Sequence, residues 1–332
     1  MYNADVVIIG AGPVGCVLAQ KISTELNLSC LIIEKRKHIA GNCYDEKNKK
    51  GVLYHKYGPH YLRFKNKKIF KYLSNFTDWI PGEYIVKSCV DKKLYPFPIN
   101  LDTLENFFDV KFKSKKEAIE FINKKKIKIK NPKNSEDFIL SKLGSEIYEK
   151  FYKNYTIKQW GVDPKDLPAS IIKRLPVRFN YNDNYYNCRY QGIPELGYTE
   201  IIAKMLEHPK IRIRLGREFT PHDLENYDHV FYSGPLDRWY NHQHGFLGYR
   251  SLRFQCQRQE EGDYQGNPVM NHCDEGVEWT RVTEHKHLMP WNTYRGTVVY
   301  KERSFLAGKD DEPYYPLRLQ EDKETLKKYI SM

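Results

Sequence analysis

The feature that most constrains this chain is a glycine-rich turn that joins a short strand to a helix near the N-terminus. Asp5 to Ile9 (DVVII) is an apolar, mostly β-branched run of the kind that forms a buried parallel strand. Gly10 to Gly15 (GAGPVG) follows at once and opens a helix that continues through Cys16. A second apolar run, Cys30 to Ile33, ends at the acidic residue Glu34. This order of strand, glycine turn, helix, strand and acid predicts a domain that binds a dinucleotide.

Each glycine of the turn has its own physical role in such a domain. Gly10 permits the tight turn, Gly12 lets the main chain approach a pyrophosphate, and Gly15 lets the helix pack close to the strand. The free N–H groups at the start of the helix attract phosphates. The Glu34 carboxylate can accept a hydrogen bond from a ribose hydroxyl. The pattern leaves open whether the dinucleotide is NAD or FAD.

The charge of the chain favours acidic partners, although its lysine runs do not indicate nucleic acid. The chain has 332 residues, enough for about two or three domains, and a formal net charge of +12. Two dense lysine runs lie at 65–71 and 124–133. No nucleic-acid recognition motif accompanies them, so we interpret both runs as solvated surface and predict no nucleic-acid partner.

Cysteine usage and hydropathy indicate the compartment. The seven cysteines include no CxxC pair and no metal-ligand spacing, which predicts reduced thiols and no metal site. The N-terminal apolar run is only as long as a strand, and no run approaches the ~18 apolar residues needed to span a bilayer. The sequence therefore predicts a cytoplasmic protein without membrane insertion.

Beyond the glycine turn the hydrophobic pattern changes along the chain. Residues 86–98 indicate a hairpin with its turn at Asp91 and Lys92, and residues 100–149 have helical periodicity. Strands are predicted at 211–216 and 228–232, where the second ends at the small-residue turn Ser233-Gly234-Pro235. This stretch resembles the second sheet entry of flavin proteins, which implies that the chain returns there to the nucleotide domain. Short alternating runs from 248 to 315 then predict an antiparallel sheet.

Aromatic residues and arginines concentrate between residues 151 and 198. Phe151 to Gly161 ends a helix at glycine, the next segment carries Arg174 and Arg178, and residues 181–198 alternate aromatics with turn residues. Flat rings and guanidinium forks suit the base and phosphates of a nucleotide. Taken singly, Trp160 fits a core position and either arginine fits a surface ion pair. The cluster alone therefore does not establish a nucleotide site.

The chain resembles the UDP-galactopyranose mutase family, the flavin-dependent UDP-sugar mutases. The resemblance lies in segments spread from residue 8 to residue 316: IIGAGPVG, IIEKRKHIAGN, HKYGPH, NYTIKQWG, LPASIIKRLPVRF, RYQGIPELGYT, YSGPLD, YRSLRF, TRVTEHKH and DEPYYP. It implies an isomerase that interconverts UDP-galactopyranose and UDP-galactofuranose for cell-surface polysaccharide synthesis. It further implies a covalent adduct between N5 of reduced FAD and the anomeric carbon, NAD(P)H or another donor as reductant, and a homodimer.

With this resemblance, the predicted fold is α/β: a Rossmann-like FAD-binding domain with an inserted helical domain and an antiparallel β-sheet domain. We assign the FAD-binding domain to 1–80 and 191–245, the mostly helical insertion with a mobile substrate loop to 81–190, and the sheet to 246–316. Residues 317–332 are expected to begin a C-terminal return segment.

The resemblance also implies roles for individual residues. Arg174 and Arg281 would grip the diphosphate and, with His60, take part in catalysis. The positions matching the substrate pocket are Phe151, Tyr155, Trp160, Arg174, Tyr185, Asn271, Arg281, Glu302, Tyr314 and Tyr315. The positions matching the flavin site are Gly10, Gly12, Pro13, Gly15, Glu34, Lys35, Gly41, Asn42, His60 and Arg250.

The sequence departs from the family pattern in three places. Arg63 stands where many members have a second histidine, and residues 80–88 lack the asparagine-rich pattern of better-known bacterial members. The sequence also ends at Met332, where members continue to a segment that contacts the flavin. We therefore expect weakened FAD retention and altered sugar or base recognition.

Two other functions fit part of the pattern. A flavin oxidoreductase of the amine-oxidase type would share the nucleotide domain but would need no arginine pair for a diphosphate. An inactive, truncated relative that binds a nucleotide would keep the arginines without catalysis. Within the mutase class, the exact sugar, galactose or its N-acetyl form, depends on pocket shape and stays open.

Overall fold

The chain forms short strands and helices whose order follows the hydrophobic pattern of the sequence. The computed structural model describes residues 4–220, 227 and 229–332. In chain order, the strands are β1 (Val6–Ile9), β2 (Cys30–Glu34), β3 (Asp45–Lys47), β4 (Leu53–His55), β5 (Leu62–Phe64), β6 (Trp79–Pro81), β7 (Val86–Val90), β8 (Lys93–Phe97), β9 (Tyr190–Pro194), β10 (Ile211–Leu215), β11 (His229–Tyr232), β12 (Tyr249–Gln259), β13 (Val269–His272), β14 (Arg281–Glu284), β15 (Thr297–Leu306) and β16 (Tyr315–Pro316).

The helices are concentrated between the strands of the N-terminal half. In chain order, they are α1 (Pro13–Glu25), α2 (Lys67–Leu73), α3 (Leu101–Phe108), α4 (Lys115–Lys125), α5 (Ser135–Leu143), α6 (Ser145–Ile147), α7 (Asn154–Trp160), α8 (Ser170–Lys173), α9 (Tyr198–Leu206), α10 (Leu236–Trp239) and α11 (Gln320–Ile330). A π-helical turn, Tyr148–Lys153, leads into α7. These elements fall into two units, Met1–Gly82 with Arg189–Gly245 and Glu83–Cys188 with Phe246–Met332.

The first unit is built on a parallel sheet with strand order β10-β2-β1-β11. The central strands β1 and β2 are apolar runs buried on both faces, as strands inside a parallel sheet are, whereas the edge strands β10 and β11 are partly exposed. Ile8 and Ile32 belong to a buried cluster with residues of α1 and α9, and Val7 and Leu31 belong to a cluster on the other face. The strand predicted at 228–232 is found as β11, and its predicted first residue, Asp228, lies outside the described residues.

A buried carboxylate in the first unit caps the first turn of α9. Gly197, the residue before the helix, has no side chain that could cap it. Asp45 of β3 instead accepts the main-chain N–H of Tyr198 at 2.6 Å and that of Thr199 at 2.9 Å. These N–H groups have no partner within the helix, so a residue distant in sequence satisfies them.

The second unit contains a seven-stranded sheet with the order β16-β12-β15-β14-β13-β7-β8. The hairpin predicted at 86–98 is confirmed as β7 and β8, with Asp91 and Lys92 at positive φ in the turn. All neighbouring strands pair antiparallel except β13 and β7, which pair parallel. The sequence could not predict this pair because no local turn connects two strands so far apart in the chain.

The helical pattern of residues 100–149 resolves into four helices, α3 to α6, of the second unit. Asn100, Ser114 and Asn134 each accept a main-chain N–H with their side chains and so begin α3, α4 and α5. The helix predicted to end at Gly161 does so, since Gly161 adopts φ +73°. In the described residues, no helix has both the length and the apolar character needed to cross a membrane.

Candidate active site

The glycine turn of the first unit is closed by a serine from β11's C-terminal end. Gly10 donates its N–H to Ile33 O at 2.8 Å and has φ +105°, which glycine adopts readily. Ser233 donates its hydroxyl to Ile9 O at 2.7 Å, and a Cβ at Gly10 would overlap its Oγ. Ser233 therefore occupies the space that a side chain at position 10 would need.

Two further glycines bring main chain close to main chain. A Cβ at Gly15 would overlap the carbonyl oxygen of Gly10, so α1 can pack on the turn only with glycine there. Gly41 has φ +55°, and a Cβ on it would lie 2.9 Å from Gly12 Cα. Bare backbone at Gly12 and Gly41 thus forms a narrow cradle at the start of α1, where helix N–H groups attract phosphate.

The acidic residue at the end of β2 is held by main-chain donors. Glu34 is buried and accepts the N–H of Ala11 and that of Arg36, both at 2.8 Å. A carboxylate offers about four lone-pair sites, so acceptor capacity remains for a ribose hydroxyl. Arg36 donates to Asn42 Oδ1 at 2.8 Å, which places Asn42 beside this carboxylate's loop. These residues fit a dinucleotide.

The remaining residues predicted to bind the flavin differ in location and exposure. Pro13 is the first residue of α1, and Lys35 is exposed directly after β2. His60 is partly buried, and its Nδ1 lies 2.8 Å from Gly58 O. That carbonyl can only accept, so Nδ1 carries a proton. Tyr198 donates its hydroxyl to His60 O at 3.3 Å.

In the second unit, three predicted residues lie side by side on neighbouring strands. Asn271 of β13 is opposite Arg281 of β14, and Arg281 is opposite Glu302 of β15. Residues directly opposite share one face of a sheet. Arg281 donates Nη2 and Nε to Glu302 Oε2 at 2.6 and 3.0 Å. Burial alone would lower the pKa of Arg281, but the charge of Glu302 raises it well above the usual range.

Tyrosines surround this arginine. Tyr315 shares a hydrogen bond with Arg281, and its hydroxyl also experiences the charge of Arg174. Burial raises the pKa of Tyr315 and of Tyr155, while the charge of Arg281 opposes the increase in both. Of the two predicted arginines, Arg281 of β14 bonds to Tyr315, and the charge of Arg174, at the end of α8, also opposes the rise that burial causes in the pKa of the same tyrosine.

The C-terminal end of α7 is tied to the sheet of the second unit beside Trp160. The Trp160 and Tyr315 rings lie 6.2 Å apart, and the Tyr314 and Tyr315 rings 6.3 Å apart. Arg250 donates Nε to Gln159 O at 3.1 Å, and burial lowers its pKa. Arg250, predicted to contact flavin, thus holds the last turn of α7 in this unit.

Comparisons with known proteins identify the family. The family model described as UDP-galactopyranose mutase matches residues 150–332, and a model described as NAD(P)-binding Rossmann-like domain matches residues 8–76. A Klebsiella pneumoniae protein named "Probable UDP-galactopyranose mutase" is 45% identical over 334 aligned positions, which cover 100% of this chain and 86% of that protein.

The chain belongs to the UDP-galactopyranose mutase family. It is therefore an isomerase, and the predicted Rossmann-like α/β fold is confirmed. An Escherichia coli member named dTDP-fucopyranose mutase is 41% identical, with 98% of this chain and 88% of that protein covered. The crystal structure of a reduced UDP-galactopyranose mutase superposes with a TM-score of 0.74 at 14% identity, covering 98% of this chain and 87% of that one.

One residue of this mutase site was missed from the sequence. Tyr84 is buried, its electrostatic contacts include Arg281, and burial raises its pKa well above the usual range. Its ring stacks on Tyr186 and meets Tyr185 edge-on at 5.7 Å. The available signal was the unusual 80–88 segment, in which Tyr84 lies.

Phe151, predicted to contact substrate, lies in the core of the second unit. Its side chain is 1% exposed, and its ring packs edge-on against Tyr95 and Phe107, both at 5.3 Å. In this structure Phe151 therefore anchors the π-helical turn that precedes α7.

A cluster with metal-ligand chemistry also lies in the second unit of this mutase. Asp263, Glu284 and His287 bring three possible ligand atoms within 4.8 Å of one another. Lys286 pairs with Asp263 at 2.6 Å, and Glu284 accepts the main-chain N–H groups of residues 264–266. These contacts explain both carboxylates as groups that anchor the loop of residues 263–266.

Proposed function

We propose that this mutase interconverts UDP-galactopyranose and UDP-galactofuranose. The observation that carries the proposal is the Arg281–Glu302 pair enclosed by tyrosines, with Arg174 acting on the same tyrosine, Tyr315. Two cations beside buried aromatic rings suit a nucleoside diphosphate, whose phosphates need charge-assisted donors. An oxidase acting on amines would have no use for such a pair.

Arg281 would hold the diphosphate in a fixed orientation. Glu302 accepts one hydrogen bond from Nε and one from Nη2 of the guanidinium. Since a guanidinium has five N–H donors, those on its outer edge stay available to phosphate oxygens. Arg174, exposed at the end of α8, would add a second charge. Both would stabilise the negative charge that develops on UDP as it leaves the sugar.

The aromatic residues of the same unit would hold the rest of the substrate. Tyr155, Tyr185 and Trp160 would offer flat faces to the base and sugar, and Tyr314 and Asn271 would border the pocket. Burial raises the pKa of Tyr155, so its hydroxyl stays protonated at neutral pH and can donate to a substrate oxygen.

The first unit would hold FAD through the glycine cradle and the Glu34 carboxylate. Gly10, Gly12 and Gly15 would admit the pyrophosphate to the start of α1, and Glu34 would accept from the ribose. His60 would present its ring, with a proton on Nδ1, to the cofactor. Reduced FAD, with NAD(P)H or another donor as reductant, would supply the nucleophile for the anomeric carbon.

We also propose that the protein acts as a homodimer in the cytoplasm. The seven cysteines, all within the described residues, are unpaired, which accords with a reducing compartment. The dimer rests on the family resemblance.

The proposal is tested by turnover with defined substrates. Protein supplied with FAD and reduced with dithionite is incubated with UDP-galactofuranose, and the products are separated by anion-exchange chromatography. We expect UDP-galactopyranose from the reduced protein and none from the oxidised control. Parallel reactions with dTDP-fucofuranose and UDP-N-acetylgalactofuranosamine define the specificity. Turnover of dTDP-fucofuranose alone would reject UDP-galactose as the substrate.

A further inference from the structure

The side chain of Lys158 in α7 ends in a cage of main-chain carbonyl oxygens. Its Nζ lies 2.8 Å from His272 O, 2.9 Å from Asp274 O, 2.7 Å from Val277 O and 3.2 Å from Trp279 O. The first oxygen belongs to His272, the last residue of β13, and the other three belong to the connection between β13 and β14. The sequence of α7 gave no sign of this contact, because main-chain acceptors leave no residue pattern.

The chemistry of the cage fits an ammonium group. Lys158 has three N–H donors and no acceptor, which matches three short contacts, with the longer Trp279 contact sharing a donor. Carbonyl oxygens that point towards one another repel, and all four would lose the hydrogen bond from the ammonium group without the lysine; Asp274 O would keep its bond from Val277 N. The conformation of residues 272–279 therefore depends on Lys158.

This connection joins two residues of the proposed substrate site. Asn271 lies in β13 and Arg281 begins β14, directly opposite it. The connection is also held to the turn before α7, since Cys273 donates its thiol to Phe151 O at 3.4 Å. Any change in residues 272–279 would therefore be transmitted to the strand ends that carry Asn271 and Arg281.

The last turn of α7, which carries Lys158, is also anchored. Lys158 lies two residues before Trp160, and the carbonyl of Gln159 between them accepts from Arg250 and from Ser304. The last turn of α7 is thus fixed on the sheet by its main chain. Lys158 uses that fixed turn as a base from which its side chain holds the β13–β14 connection.

We propose that Lys158 is a positioning residue for diphosphate binding. It holds residues 272–279 in the conformation that keeps Arg281 and Asn271 oriented before the substrate arrives, so less ordering is needed on binding. This inference rests on the proposed function, because it assumes that Arg281 binds the diphosphate.

The test compares Lys158→Met with Lys153→Met. Methionine keeps much of the side-chain volume without the charge, and Lys153, in the π-helical turn before α7, forms an ion pair with Glu149 at 2.7 Å. We expect Lys158→Met to speed hydrogen exchange across residues 272–280 and to weaken UDP binding by about tenfold or more in calorimetry. Lys153→Met should leave both within about twofold of the parent, and Lys158→Arg should give an intermediate affinity.

Loss of stability alone is controlled with Leu104→Ala. Leu104 is fully buried in α3, which packs against β8, so the variant lowers the unfolding temperature without removing a hydrogen bond of the Lys158 ammonium group. If Leu104→Ala weakens UDP binding as much as Lys158→Met does, positioning is rejected. Unchanged UDP affinity in Lys158→Met also rejects it, provided that Arg281→Met loses binding. Unchanged affinity in Arg281→Met would instead reject the proposed diphosphate site itself.

Discussion

At the scale of the residue, Glu302 sets the orientation of the Arg281 guanidinium. The acid accepts from one edge of the guanidinium and fixes its plane, so the arginine enters the site already oriented. An arginine that must first be ordered loses part of its binding energy to conformational entropy. We therefore expect the pair, in which Glu302 is buried and Arg281 partly exposed, to matter more for binding than for stability.

Replacing Arg281 should abolish most nucleotide affinity. We expect Arg281→Met to weaken UDP binding roughly 10- to 100-fold, because hydrogen bonds to charged groups contribute about 1.5–3 kcal/mol. Isothermal titration calorimetry measures this directly. Arg303→Met is the matched control, since Arg303 is exposed on β15 and pairs with Glu278 at the surface. Equal UDP affinities for the two variants would contradict the assignment.

A second residue-scale prediction concerns the glycine cradle. Gly41→Ala and Gly51→Ala both place alanine at positive φ, +55° and +82°, so both should destabilise the fold. Only at Gly41 would the new methyl group meet other main chain, at Gly12. We expect Gly41→Ala alone to weaken FAD binding, by about tenfold or more, in fluorescence titrations. Equal FAD affinity in both variants would show that the cradle does not contact the cofactor.

At the scale of the element, sequence patterns located most strands and helices but not their long-range partners. The glycine turn, the hairpin at 86–98 and the end of α7 at Gly161 follow from local rules of turn and cap formation. The parallel pairing of β7 with β13 is set by packing between distant segments. Tyr84 and the carbonyl cage of Lys158 are equally invisible to periodicity, since the first depends on tertiary burial and the second on main-chain atoms.

At the start of the helical segment, the carboxyl of Glu105 makes the stability of the fold depend on pH. Glu105 of α3 accepts from Lys111 Nζ at 2.7 Å and from Phe112 N at 3.1 Å, and these bonds, that of Lys111 first, lower its pKa. A carboxyl whose pKa is lower in the folded state stabilises the protein above its unfolded pKa. That stabilisation is lost as the pH falls through the folded pKa.

Glu105→Gln should therefore be less stable than the parent near about pH 7, and the difference should shrink below about pH 4. Urea unfolding across this pH range gives the comparison. Glu120→Gln in α4 provides the control, because Glu120 is exposed and its contact with Lys116 is 3.9 Å long. A difference between parent and Glu105→Gln that stays constant with pH would rule out the carboxylate as its origin.

At the scale of the whole molecule, each of the two units is made of two separated stretches of chain. The Rossmann-like match at residues 8–76 lies in the first unit, and the mutase family match begins at residue 150, just before Phe151. The residues proposed for the dinucleotide lie in the first unit, except Arg250, and those proposed for the diphosphate lie in the second. The family resemblance already named Tyr155 and Tyr315 with Arg281, whereas Tyr84 emerged only from the fold.

The most direct test of the account is turnover by the reduced protein, approached from both directions. UDP-galactopyranose and UDP-galactofuranose are incubated separately with FAD-saturated, dithionite-reduced parent and with Arg281→Met. We expect the parent to reach the same pyranose-to-furanose ratio from either substrate, while Arg281→Met converts either one far more slowly. Absence of conversion by the reduced parent, or equal rates in the parent and Arg281→Met, would contradict the account.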